Sequence, residues 1–364
     1  MNRPSKGPPP VIPSGLMSFP LTPFTPDDAV APGVFADHVE DQLAHGPAAL
    51  FVACGTGEYS SLSATEYAEV VRHAVRVVAG RVPVFAGAGG GLGNARAAVA
   101  AASDAGADGI LLLPPYLVGG TEDGYLAYVE SVAGAGRLPV LVYRRGLARL
   151  GVSTALRLLS VPQVAGIKEG NGDLDTMARM VTAVRTSGHP RAESFAFLNG
   201  LPTAEVSAGA CRAIGIRDYS SAVLCFAPDI ARAFHTALTT GDTATTGRLL
   251  ADFYLPLTAL RDRVPGYAVS LVKAGARLRG LDVGRVRAPL VEAAPDHVDQ
   301  LKDLLDRGRR ALAEIAATAA EASPGASPGA GARASAGAGA GAGAPAGVDA
   351  GVDTGAEASV AVAS

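Results

Sequence analysis

Short apolar runs recur along the first two thirds of the chain, and each is followed by a longer stretch whose apolar residues repeat with helical spacing. The runs fall at 16–21, 49–53, 82–86, 109–113, 140–143, 165–168, 194–198 and 213–219. Between them the helical pattern is best marked at 33–43 and 64–78, the second opening on Ser63-Ala64-Thr65-Glu66, a capping-box sequence. Eight strands with intervening helices predict an α/β fold, a (β/α)8 TIM barrel. A doubly wound sheet is the competing arrangement, but no Gly-x-Gly-x-x-Gly follows the first run. The glycine-rich run at 87–91 follows the third and lacks both that spacing and a Walker lysine, so it reads as a tight turn between strand and helix. Beyond Asp229 the pattern is purely helical to about Ala319, which predicts a C-terminal helical extension packed on the barrel.

The expected organisation is a flexible segment at 1–13, a barrel catalytic domain at 14–228, the helical extension at 229–319 and a disordered tail at 320–364. From Ala322 onward the tail is almost wholly Ala, Gly, Ser and Pro, alternating Gly and Ala from Ala336 to Ala344. It has little bulky apolar surface to offset the entropy of ordering. A net charge of −3 over 364 residues, with both signs interspersed, favours neither nucleic acid nor an anionic membrane as partner. The three cysteines, Cys54, Cys211 and Cys225, are odd in number and lack metal-ligand spacing, against a disulfide framework or a zinc site. The proline-rich start has no apolar signal-peptide core, and no run is long enough to span a membrane. A cytoplasmic location is expected.

One residue type stands out against this background. Of 31 basic residues only four are lysines, Lys6, Lys168, Lys273 and Lys302, and Lys168 ends an apolar run. Arginine stays protonated, whereas a desolvated lysine can lose its proton and attack a carbonyl. The plain alternative is a strand-end lysine whose ammonium reaches water. On a barrel the C-terminal ends of the strands face the active-site mouth. There the sequence places Gly55-Thr56-Gly57-Glu58, Pro114-Pro115-Tyr116, Tyr143-Arg144-Arg145, Lys168-Glu169-Gly170, Asn199-Gly200 and Tyr219-Ser220-Ser221. A lysine, two tyrosines, a Gly-Thr-Gly turn and a serine pair supply an amine, a proton relay and donors for a carboxylate, which suits a 2-keto acid.

These segments resemble a known family. Residues 15–24 together with Gly55-Thr56-Gly57-Glu58, Leu112-Leu113-Pro114-Pro115-Tyr116 and Gly166-Ile167-Lys168-Glu169-Gly170 are similar to the dihydrodipicolinate synthase and N-acetylneuraminate lyase superfamily over about 14–313. Within it, the segments at 113–117, 200–205, 219–223 and 266–275 are most similar to the 5-dehydro-4-deoxyglucarate dehydratases. The resemblance implies that Lys168 forms an imine with the substrate's 2-oxo group and that Tyr143 shuttles protons. Thr56, with the backbone of Gly55 and Gly57, would hold the neighbouring carboxylate. Arg145, Gly200, Ser220 and Ser221 would contact the rest of the substrate, and Tyr116 would reach across a subunit contact toward the relay. It further implies a homo-oligomer, commonly a dimer of dimers, and a decarboxylating dehydration that yields 2,5-dioxopentanoate. No cofactor or metal is needed, because the imine is the electron sink.

The chain also departs from that pattern. Where dehydratases usually read Asn-Arg-Asp-Asn after the tyrosine, this chain reads Arg144-Arg145-Gly146-Leu147, and Cys225 replaces a common asparagine. The extra arginine reads either as a clamp for a second carboxylate or as a solvated loop charge. Glu58 and Glu169 read either as proton-transfer groups or as structural carboxylates that cap a helix or pair with an arginine. Lys273 reads as structural, and the six histidines have no paired spacing. Two other functions stay open on the sequence: a sibling lyase or aldolase acting on another 2-keto acid, and a barrel that binds a ligand without catalysis.

Overall fold

The computed structural model describes residues 12–115, 118–148 and 150–321; all but the first two residues of the expected tail lie outside them, as does most of the expected N-terminal segment. Eight parallel strands close on themselves in chain order, β1 beside β8. They are β1 (Met17–Ser18), β2 (Ala49–Val52), β3 (Val84–Ala88), β4 (Gly109–Leu112), β5 (Val140–Arg144), β6 (Val164–Glu169), β7 (Ala196–Asn199) and β8 (Asp218–Ser221). The helices between them are α1 (Pro32–Ala44), α2 (Ala64–Val78), α3 (Leu92–Ala105), α4 (Glu122–Ala133), α5 (Val152–Leu158), α6 (Leu174–Arg185) and α7 (Glu205–Ala213). The capping box predicted for α2 is present: Ser63 Oγ accepts from the Glu66 amide, and the Glu66 carboxylate accepts from the Ser63 amide.

Expected strand positions shift at β1, β3, β7 and β8, and for three of these the reason is local. β1 is only two residues long because Pro20 follows closely, with no N–H for a ladder. β3 runs through Gly87, where a side chain is barred by the Ala53 carbonyl. β8 begins five residues later than expected, since Ala213 still belongs to α7 and Gly215, at φ +91°, turns the chain out of that helix.

Strand alternation sorts the side chains into two apolar layers. Met17, Phe51, Phe85, Leu111 and Leu141 fill the barrel interior, while Val52, Ile110, Val142 and Ile167 face the surrounding helices. Inside, Phe19, Phe51 and Phe85 stack at centroid distances of 4.7 and 4.8 Å. Gly109 has no side chain because the Phe85 ring of the neighbouring strand occupies its place. A register shift between β5 and β6 sets the phase of both strand ends. After it, Tyr143 pairs with Lys168 and Arg144 with Glu169.

The extension consists of α8 (Pro228–Thr240), α9 (Thr243–Leu249), a π-helical turn at Leu250–Tyr254, α10 (Leu255–Arg261), α11 (Tyr267–Leu278) and α12 (Pro295–Glu321). It shares its own apolar core with β8 and α7 through Tyr219, Ala208 and Ala204. Ion pairs add to this contact. Arg279 forks onto Asp41 of α1 with two 3.0 Å bonds, and Lys273 Nζ lies 2.7 Å from the Glu58 carboxylate with both side chains buried. Barrel and extension form one compact unit. Among the described residues no helix is long and apolar enough to cross a membrane.

Candidate active site

Lys168 sits near the C-terminal end of β6, where alternation turns its side chain into the barrel with those of Leu141 and Tyr143. It is 4% exposed, and its ammonium lies 4.0 Å from the Phe19 ring centroid and 4.5 Å from that of Tyr143. Burial lowers its pKa from 10.5 to about 7. Cys54 opposes that shift only if it is ionised, and burial pushes the Cys54 thiol up to about 12. Near neutrality the thiol is therefore uncharged, and the Arg145 guanidinium acts in the same sense as burial. The plain alternative of an ammonium reaching water does not describe this lysine.

Tyr143 stands beside it on β5. Its hydroxyl donates to the Gly200 carbonyl at 2.7 Å and accepts from Arg145 Nη1 at 2.9 Å. Burial raises its pKa, and Arg145 pulls in the opposite direction. Two glycines make the pairing sterically possible. A Cβ on Gly200 would lie 2.5 Å from Lys168 Cε, and one on Gly170 would lie 2.6 Å from the Tyr143 ring.

Lysine and tyrosine border a cavity of about 420 Å³. Barrel residues on its wall include Gly55, Thr56, Arg145, Gly200 and Ser220, and the opposite wall comes from the extension: Leu257, Arg261, Tyr267, Val269 and Val272. The Gly55-Thr56-Gly57 turn is held from behind. Thr22 Oγ1 donates to the Gly57 carbonyl at 2.7 Å, and a Cβ on Gly57 would be within 3.1 Å of backbone atoms of Ala53 and Pro20. Thr56 borders the cavity, and among the described hydrogen bonds none uses its amide, which suits a carboxylate held at this turn.

The structure separates residues that the sequence grouped. Ser220 borders the cavity, but Ser221 points to the other side of β8 and donates to Glu205 on α7 at 2.6 Å, which takes it out of the substrate site. Glu205 is buried there with Tyr219 and Tyr254, and burial raises its pKa to about 7. Tyr116 lies outside the described residues. Arg144 is neither a cavity clamp nor a solvated charge: it points outward beside Glu169, 2.7 Å away, with both side chains under a tenth exposed. Glu169 also accepts from the Asn171 and Gly172 amides, which makes it the tie of the β6 loop rather than a proton carrier. Glu58 is likewise structural, bound by Lys273 and by the Arg287 amide. Cys225, in place of the common asparagine, donates to the Phe19 carbonyl and is buried away from the cavity. Phe19, Thr203 and Arg261 are wall residues that no sequence motif had singled out. Phe19 lay inside an expected strand, and Arg261 lies some sixty residues beyond Thr203, which it meets.

With this geometry in place, comparison with known proteins is decisive. The dihydrodipicolinate synthetase family model matches residues 12–307, most of the chain. The chain belongs to that family. Among curated proteins it is 50% identical over 298 residues to the probable 5-dehydro-4-deoxyglucarate dehydratase 1 of Streptomyces coelicolor, covering 82% of this chain and 94% of the relative. It is 43% identical over 298 residues to the probable 5-dehydro-4-deoxyglucarate dehydratase of Paracidovorax citrulli, covering 82% and 96%. Among solved structures, dihydrodipicolinate synthase from Bacillus clausii superposes with a TM-score of 0.73 at 26% identity, covering 80% of this chain and 96% of that one. The family's barrel and its helical extension are thus both present here.

Proposed function

We propose that this family member is a Schiff-base dehydratase that converts 5-dehydro-4-deoxyglucarate to 2,5-dioxopentanoate, water and carbon dioxide. The observation that carries the chemistry is the buried Lys168 amine, with a pKa of about 7, against the Tyr143 ring. The names of relatives up to 50% identical support the substrate.

The steps follow from the groups in place. Neutral Lys168 attacks the 2-oxo carbon, while Thr56 and the amides of its turn hold the adjacent carboxylate. Burial keeps Tyr143 protonated, so its hydroxyl can supply the proton with which the carbinolamine oxygen leaves as water. The phenolate left behind is steadied by Arg145, whose Nη1 lies 2.9 Å from the oxygen. That phenolate removes a proton from the methylene next to the iminium, giving an enamine. The enamine electrons expel the β-hydroxyl, which takes the same proton back from Tyr143 and departs as water. The conjugated iminium then accepts the electron pair released when the distal carboxylate leaves as carbon dioxide. Reprotonation and hydrolysis free the product and Lys168. Two of the departures from the usual dehydratase sequence, Arg144 and Cys225, are not on the cavity wall.

The protein is read as a homo-oligomer of cytoplasmic location, in keeping with its resemblance. The test of the reaction is intact mass after borohydride reduction in the presence of 5-dehydro-4-deoxyglucarate. An adduct on Lys168 with the mass of the dehydrated, decarboxylated product supports the assignment. Absence of any adduct, with pyruvate as well as with the sugar acid, overturns it.

A further inference from the structure

The proposed substrate carries a carboxylate at each end, and the turn at Thr56 can hold only one. Among the described residues, the charged side chains on the cavity wall apart from Lys168 are Arg145 and Arg261. Arg145 is committed at the reacting end, where it donates to Tyr143. Arg261 is the last residue of α10 and enters the cavity from the extension. We propose that Arg261 binds the distal carboxylate of a 2-oxo dicarboxylate and so sets the enzyme's preference for diacids. This rests on the reading of the site as a dehydratase.

Arg261 is prepared for such a role by three contacts. Nη1 donates to Thr203 Oγ1 at 2.7 Å, while Nε and Nη2 donate to the Asp262 carboxylate at 2.8 and 3.1 Å. A guanidinium has five N–H donors, so one N–H remains on each terminal nitrogen, the pair that a carboxylate accepts end-on. Asp262 takes the Nε edge of the guanidinium from the solvent side, its side chain 60% exposed against 15% for Arg261. Around Arg261 the cavity wall is largely apolar, formed by Leu257, Tyr267 and Val269.

Thr203 is held for this contact at a cost in backbone energy. It adopts φ +51°, a left-handed conformation that β-branched residues rarely take and that clusters at functional sites. The strained residue lies three positions after Gly200, whose carbonyl binds Tyr143 and where an added Cβ would lie 2.5 Å from Lys168 Cε. Lys168, Thr203 and Arg261 border the same cavity, so a diacid held at Lys168 extends into the space that the Thr203–Arg261 pair faces.

The experiment compares kcat/KM for 5-dehydro-4-deoxyglucarate with the rate of borohydride trapping by pyruvate, which has no distal carboxylate, in the parent enzyme, Arg261→Met and Arg261→Lys. Expected is a fall with the diacid that exceeds the fall with pyruvate by about a hundredfold in Arg261→Met. Arg261→Lys, which keeps the charge but not the fork, is expected to fall between. Equal losses for both compounds in Arg261→Met, or no loss with the diacid, overturn the role of Arg261 while leaving the dehydratase reading intact. A parent enzyme that traps pyruvate but does not turn over the diacid overturns the substrate assignment, and the role of Arg261 with it.

Discussion

Tyr143 and Lys168 are register partners on adjacent parallel strands, both turned into the barrel, and the next pair along, Arg144 and Glu169, is turned out. The outward pair fastens the two strand ends that carry the inward one.

The buried amine makes stability depend on pH in a predictable direction. Unfolded, Lys168 stays protonated up to its ordinary pKa of 10.5, and folded only up to about 7. Below pH 7 folding must bury a charged ammonium, and the penalty fades as pH rises from 7 toward 10.5. Lys168→Met is therefore expected to abolish the borohydride adduct and to raise stability at pH 6, on the order of 3 kcal/mol. Urea unfolding at pH 6 and pH 9 checks this, since the gain must be smaller at the higher pH.

Arg145 lowers the pKa of both Lys168 and Tyr143. Replacing it with Met is expected to move the acid limb of kcat/KM upward from about pH 7 by roughly half a unit to one unit. The rate at the plateau is expected to drop about tenfold or more, because the phenolate loses its counter-charge. A pH–rate profile of the variant that keeps the parent's acid limb would show that Arg145 does not act on the lysine.

The outward pair should matter for stability rather than chemistry. Arg144→Met leaves Glu169 buried with its ion partner removed, and a loss of about 3–5 kcal/mol is expected. Denaturant titration measures it. Restoration of stability by adding Glu169→Gln would identify the unpaired carboxylate as the cause.

Glu205 has the opposite pH signature to Lys168. Its folded pKa of about 7 lies above the usual 4.5, so it contributes most at low pH and stability is lost as pH rises from 4.5 through 7. Glu205→Gln keeps an acceptor for Ser221 and removes the titration. The thermal midpoint of the variant relative to the parent is expected to rise between pH 5 and pH 8, by a free energy of about 3 kcal/mol at most. A constant difference across that range would show that the carboxyl does not titrate there.

The barrel was legible because its evidence is local and repeated. Strand and helix periods alternate eight times, and errors of a few residues at β1, β3 and β8 leave the topology unchanged. Lys168 and Tyr143 were legible for a related reason: strand ends fall on one rim, so any reading that finds the strands finds the rim. Ser221 was misplaced because adjacent residues of a strand face opposite sides, and the late start of β8 hid which serine faced in. The character of Arg144 was hidden in the same way. Arg261 was out of reach for a different cause. Its place in the cavity depends on how α10 packs against the loop after β7, a contact across 58 residues that leaves no periodic trace in the chain.

The cavity's two walls are also separated in time. During synthesis the last strand is complete at Ser221, while Leu257, Arg261 and Tyr267 have yet to be added. A chain released or cleaved in that interval carries the amine and its tyrosine but not the wall that faces them.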